Sequence, residues 1–210
     1  MKKSLILFVV FTSIILQGLA QPITNIGAEA AGFSSERLKR IDNAMNEWVE
    51  KGWMNGGAAL IIRDGKIAYY KAAGYNDLDA KTPYYSGGAG LSSTIYDYAL
   101  FLQMLLNNGE YNGKRLLGRN TVRMMTMNQI GDLSLGDDKF GLGVQVVSEK
   151  GSGRSPAQEG TFSWGGAFAT SYWVDPKEKM VMLFYRQLQS RTHNDVVEKF
   201  RALTYQAIND

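Results

Sequence analysis

The sequence predicts an α/β fold of the α+β kind: one antiparallel sheet flanked by an N-terminal and a C-terminal helix. Three observations carry this. A helix-period segment and a strand hairpin come first, at Ser34–Gly52 and Gly57–Ala73. A strand-rich stretch fills the last third, from Phe140 to Arg186. A second helix-period segment closes the chain, from Asp195 to Ile208. Terminal helices around consecutive strands suit a sheet with one helical layer on each face.

The elements follow in order. Lys2 and Lys3, the apolar run Leu5–Leu16 and the small residues Gly18-Leu19-Ala20 before Gln21 read as a signal peptide over 1–20. The run is shorter than the ~20 residues a membrane span needs, so no stable anchor is expected after cleavage. Export to the periplasm or medium is therefore expected. Residues 21–32 are small, polar and aperiodic, and read as a linker. Residues 33–210 read as one domain, since 210 residues would divide poorly between two cores.

Ser34 caps a helix in which Leu38, Ile41, Met45 and Trp48 recur at helical spacing, and Gly52 ends it. GAALII over 57–62 is a buried strand, Asp64-Gly65 a tight turn, and Ile67–Ala73 the returning strand. Residues 74–90 are loop. Thr94 opens a second helix with Asp97 three residues on. A short helix spans Thr121–Met127. Strands are expected at Phe140–Val147, Gly160–Trp164, Phe168–Val174 and Met180–Arg186. The terminal helices are expected on one face of the sheet and the middle helices on the other.

Composition excludes several chemistries. There is no cysteine and one histidine, so thiolate chemistry and histidine-rich zinc sites are out, and no metal or organic cofactor is expected. The net charge is +3; removing Lys2 and Lys3 from 23 basic residues leaves 21 against 20 acidic. No basic cluster or phosphate-cradling glycine motif appears, so no nucleic-acid partner is expected. His193, in the polar stretch Arg191–Asn194, reads as a solvated or capping residue. Asp137-Asp138 reads as a solvated loop. Nothing in the pattern fixes an oligomeric state.

The segment Glu159–Pro176 is the informative one. Gly165 and Gly166 follow the strand residue Trp164 and permit a close approach to the backbone. Read alone, they are a bulge between two strands. With Gly87–Thr94, Asp97, Tyr98–Leu102 and Phe140-Gly141-Leu142-Gly143 around them, the pattern resembles the serine β-lactamase, penicillin-binding-protein and related esterase family. Phe33–Asp79 is similar to that family's N-terminal helix and hairpin. The resemblance implies that Trp164-Gly165-Gly166 is a WGG variant of the third family motif. It also implies that the Ala167 N–H is half of an oxyanion hole, and that the family reaction is acyl transfer from an ester, amide or β-lactam to water.

The chain departs from the family at the point that matters chemically. No serine has a lysine three residues on, and no tyrosine has an asparagine two residues on. The S-x-x-K and Y-x-N motifs are thus absent, and the central segment that carries them is missing near 80–88. Ser86, Ser92, Ser93 and Ser163 lie near the inferred walls, and Lys81 is the nearest base to the junction. A serine needs a positioned base to become a nucleophile. The chain is therefore expected to be inactive in the family reaction. The alternative is a non-catalytic cell-envelope module, with Trp164, Trp173, Tyr84 and Tyr85 presenting an aromatic surface to a peptidoglycan-like ligand.

Overall fold

A computed structural model describes residues 22–74, 93–186, 193 and 195–209. The expected signal peptide at 1–20 and the expected junction near 80–88, and with them Lys81, Tyr84, Tyr85, Ser86 and Ser92, lie outside the described residues.

Helix α1 spans Ser35–Glu50. It begins where the Ser34 side chain accepts a hydrogen bond from the Arg37 N–H at 3.3 Å. Leu38, Ile41, Met45 and Trp48 form its buried stripe. Strands β1 (Gly56–Arg63) and β2 (Lys66–Gly74) pair antiparallel through a two-residue turn. Asp64 and Gly65 take φ of 49° and 71° there, as a primed hairpin turn requires. Helix α2 covers Ile95–Leu106; Thr94 caps it by accepting from the Asp97 N–H at 3.0 Å. A small hairpin, β3 (Glu110–Tyr111) and β4 (Lys114–Arg115), leads to α3 (Arg119–Met125).

The sequence predicts one strand over Phe140–Val147, but the chain makes a hairpin. β5 is Lys139–Phe140 and β6 is Gln145–Val146, paired antiparallel. Gly143, at φ 86°, turns the chain between them. A Cβ at Gly141 would lie 2.0 Å from the Met125 carbonyl oxygen, so only glycine fits that approach. Helix α4 (Glu149–Ser152), strands β7 (Phe162–Gly165), β8 (Thr170–Asp175) and β9 (Met180–Arg186), and helix α5 (Asp195–Gln206) complete the order.

The sheet runs β2-β1-β9-β8-β7-β6-β5, each neighbour antiparallel. β1 and β9 are buried on both faces, which explains their unbroken apolar runs. Ala59, Ile61, Met182 and Phe184 meet Leu38, Ile41 and Met45 of α1 and Val196 and Phe200 of α5. Leu60, Ile62, Val181 and Leu183 meet Ile95, Ala99, Leu102 and Leu105 of α2. The terminal helices thus share one face and α2 covers the other, as the sequence predicts. Within 22–32, Glu29–Ala31 forms a single 3-10 turn, and Ala28 and Ala31 are buried against the α1/α5 face. This stretch packs on the sheet layer rather than only leading to it.

Candidate functional site

Trp164 and Gly165 end β7, and Gly166 and Ala167 open the turn into β8. Trp164 pairs with Tyr172 across the two strands, so both side chains stand on the α2 face. The Trp164 indole is 45% exposed and meets the Phe140 ring edge-on at 5.1 Å. Both glycines have a local reason. A Cβ at Gly165 would sit 3.2 Å from the Thr170 carbonyl oxygen, and one at Gly166 would sit 2.4 Å from Thr170 Oγ1. The Gly166 N–H donates to the Thr170 carbonyl at 2.9 Å. The close approach that crowds a side chain here is made by β8 itself. Ala167 is exposed, and its N–H has no partner among the described residues.

Three tyrosines stand on the same face: Tyr98, read in the sequence as part of the second helix, and Tyr172 and Tyr185, which the sequence did not single out. Tyr98 of α2 meets Tyr172 edge-on at 5.5 Å and Tyr185 at 6.4 Å, and contacts Phe101 at 5.7 Å. Burial pushes all three phenols up, Tyr172 and Tyr185 furthest, and neighbouring tyrosine hydroxyls add to the effect on those two. They are neutral hydroxyls at physiological pH, able to donate a hydrogen bond and unfit as proton acceptors. Strand alternation pairs Tyr172 with Trp164 once the turn length is known. Tyr98 and Tyr185 reach them only through the packing of α2 across β8 and β9.

The remaining sequence candidates do not converge on this surface. Ser93 is exposed, and its hydroxyl donates to the Thr94 carbonyl at 3.3 Å. Ser163 pairs with Trp173 and so faces the opposite side of the sheet. There it lines a polar cleft of about 370 Å³ with Gln145, Ser171, Glu198 and Arg201, and Trp164 and Gly165 border the same cleft. Trp173 is buried, with the Arg201 guanidinium 5.8 Å over its ring and Phe200 at 6.3 Å; it is core. His193 stacks on Trp53 at 4.7 Å, and its carbonyl accepts from Arg186 Nη1 at 3.4 Å.

Asp137 and Asp138 lie in a surface turn, as the sequence suggests, and polar contacts tie them down there. Lys150 and Arg154 each reach the Asp137 carboxylate at 2.6 Å and, Lys150 foremost, hold it below the usual carboxylate range. Asp138 accepts from Gln145 Nε2 at 2.6 Å and from the Ser148 N–H at 3.2 Å. The pair fastens α4 to the β5–β6 hairpin. Among the described residues, no group of three or more His, Asp or Glu could hold a metal ion, and no helix is long and apolar enough to cross a membrane.

Comparison with known proteins agrees with the family resemblance. Residues 82–206 match the Beta-lactamase family model. An uncharacterized protein of Mycobacterium tuberculosis is 35% identical over 115 residues, which are 49% of this chain and 29% of that protein. An Escherichia coli K12 protein named "Putative D-alanyl-D-alanine carboxypeptidase" is 31% identical over 119 residues, 54% of this chain and 25% of that protein. The match thus spans under a third of these curated relatives. A solved structure described as a "putative beta-lactamase" from Bacteroides dorei superposes with a TM-score of 0.62, covering 85% of this chain and 100% of that one. At 12% identity, that likeness speaks for the fold alone. With the family model covering more than half its length, this chain belongs to the Beta-lactamase family.

Proposed function

We propose that this chain is a Beta-lactamase-family scaffold that keeps one wall of an acyl-transfer site and does not turn over the family's substrates. One observation carries the reading: of the two wall serines among the described residues, neither Ser93 nor Ser163 has a hydrogen bond to a carboxylate, lysine or imidazole. Ser93 donates to a backbone carbonyl, Ser163 faces away from Trp164, and the tyrosines nearest Trp164 hold their protons more tightly than a free phenol. The absence of S-x-x-K from the full sequence points the same way. A family site stripped of its nucleophile and base retains only ~10³–10⁴-fold catalysis over water, and the nucleophile's own N–H would be missing from the oxyanion hole as well. The test is turnover of a chromogenic ester and a chromogenic β-lactam by repurified protein. Rates at background support the reading. Turnover abolished by a serine-directed acylating probe overturns it.

A second reading rests on the exposed rings. Trp164, Phe168 and Phe101 are all exposed. This favours a non-catalytic binding role toward a peptidoglycan-like ligand in the cell envelope, reached through export by the leader at 1–20. Sedimentation with purified peptidoglycan is the test. Retention lost in Trp164→Ala supports it, and retention no better than an unrelated protein's contradicts it. Export is checked separately, by whether the mature N-terminus in cells is Gln21.

A further inference from the structure

At the other end of the strands from Trp164, still on the α2 face, the described residues surround a cavity of about 500 Å³. Leu106 of α2, Val122 of α3, Phe162 of β7 and Pro176 give it apolar walls. This volume lies within the ~300–1,000 Å³ range typical of small-molecule sites. Among the described residues that line it, the ionisable ones, Lys179 and Asp64, pair with each other at 3.4 Å. With those two charges paired, the described lining favours an uncharged ligand.

Gln103 is the second observation. It lines this cavity and is only 3% exposed. Its Nε2 donates to Asn107 Oδ1 at 3.2 Å, while its Oε1 is buried with no hydrogen-bond partner. A buried acceptor left without a donor is costly, and folded proteins retain few of them. The Asn107 contact uses the amide nitrogen and leaves the oxygen without a role in the helix. On the same helix face Ala99 is apolar and buried. The last torsion of a glutamine is soft, so the carboxamide can adjust to a donor that enters the cavity.

We propose that this cavity binds a small uncharged molecule with an apolar body and one N–H or O–H donor, and that Gln103 Oε1 accepts from that donor. The site is separate from the Trp164 wall and does not depend on whether that wall is catalytic.

Indole and benzofuran test the proposal, since they share a shape but only indole carries a donor. Each is titrated into the ¹⁵N-labelled chain and followed by amide shifts. Indole is expected to move the resonances of Gln103, Val122 and Thr126, with benzofuran at least about tenfold weaker, the factor that one unsatisfied buried acceptor supplies. In Gln103→Leu the two probes are expected to bind alike. That variant removes an orphaned acceptor together with the hydrogen bond to Asn107, so its melting temperature is expected to stay close to the parent's. Equal binding of both probes by the parent, no shift at those residues at millimolar indole, or a preference for indole that survives Gln103→Leu would each overturn the proposal. Should the variant not fold, the ratio of the two probes on the parent chain decides alone.

Discussion

Tyr98 and Tyr172 meet edge to face at 5.5 Å, joining α2 to the strand that pairs with Trp164. Their environment removes them from proton chemistry at neutral pH, because burial disfavours the phenolate of each. Tyr69, Tyr185 and Tyr205 are pushed up in the same way, chiefly by burial, with Asp42 adding to the effect at Tyr69 and Asp175 at Tyr205.

An alkaline limit follows. A group whose pKa is raised on folding holds its proton more tightly in the folded state. Its contribution to stability is complete below the ordinary phenol value of about 10 and is lost as pH climbs above it. Tyrosinate absorbance and circular dichroism, followed together above pH 10, are expected to show these tyrosines ionising only as the fold is lost. Full ionisation near pH 10 with the fold intact would contradict this.

The C-terminal helix is fastened by a buried carboxylate. Tyr205 Oη donates to Asp175 Oδ2 at 2.6 Å, while Asp175 Oδ1 accepts from the Lys177 and Glu178 N–H groups at 2.9 and 3.1 Å. Asp175→Ala removes all three bonds and is expected to cost about 3 kcal/mol in urea unfolding. Tyr205→Phe removes one bond and is expected to cost about 1–2 kcal/mol, with the double mutant less than additive.

Ring packing holds the same helix. Phe200 is fully buried and stacks on Phe184 at 4.8 Å. Phe200→Ala is expected to cost about 3–5 kcal/mol, most of it from the cavity left between α5 and β9. A change below about 1 kcal/mol would mean that α5 is not seated on the sheet as described.

Two glycines separate backbone from side-chain crowding. A Cβ at Gly141 meets a backbone oxygen of α3, whereas one at Gly166 meets the end of the Thr170 side chain. Gly141→Ala is therefore expected to lower the melting temperature clearly more than Gly166→Ala. The reverse order would contradict the placement of the β5–β6 hairpin against α3.

The sheet layers were legible because local pattern and long-range packing agree there. The unbroken apolar runs of β1 and β9, the Asp64-Gly65 turn and the stripe Leu38, Ile41, Met45, Trp48 each have one structural meaning. Other features depend on contacts that no local pattern encodes. The Phe140–Val147 run hides a turn because glycines suit a strand's close approaches as well as a reversal. Asp137 becomes a clamp only when the chain returns Lys150 and Arg154 to it. Of the candidate site, the sequence made legible a strand end at Trp164 with two glycines at the turn that follows. The tyrosines beside Trp164 were not, because they come from three segments joined only by the packing of α2 on β8 and β9.

The inactive-scaffold account is decided by intact-protein mass spectrometry after incubation with an excess of a serine-directed acylating probe. The account predicts an unchanged protein mass. A stoichiometric adduct, mapped to one serine and formed within minutes, would contradict it.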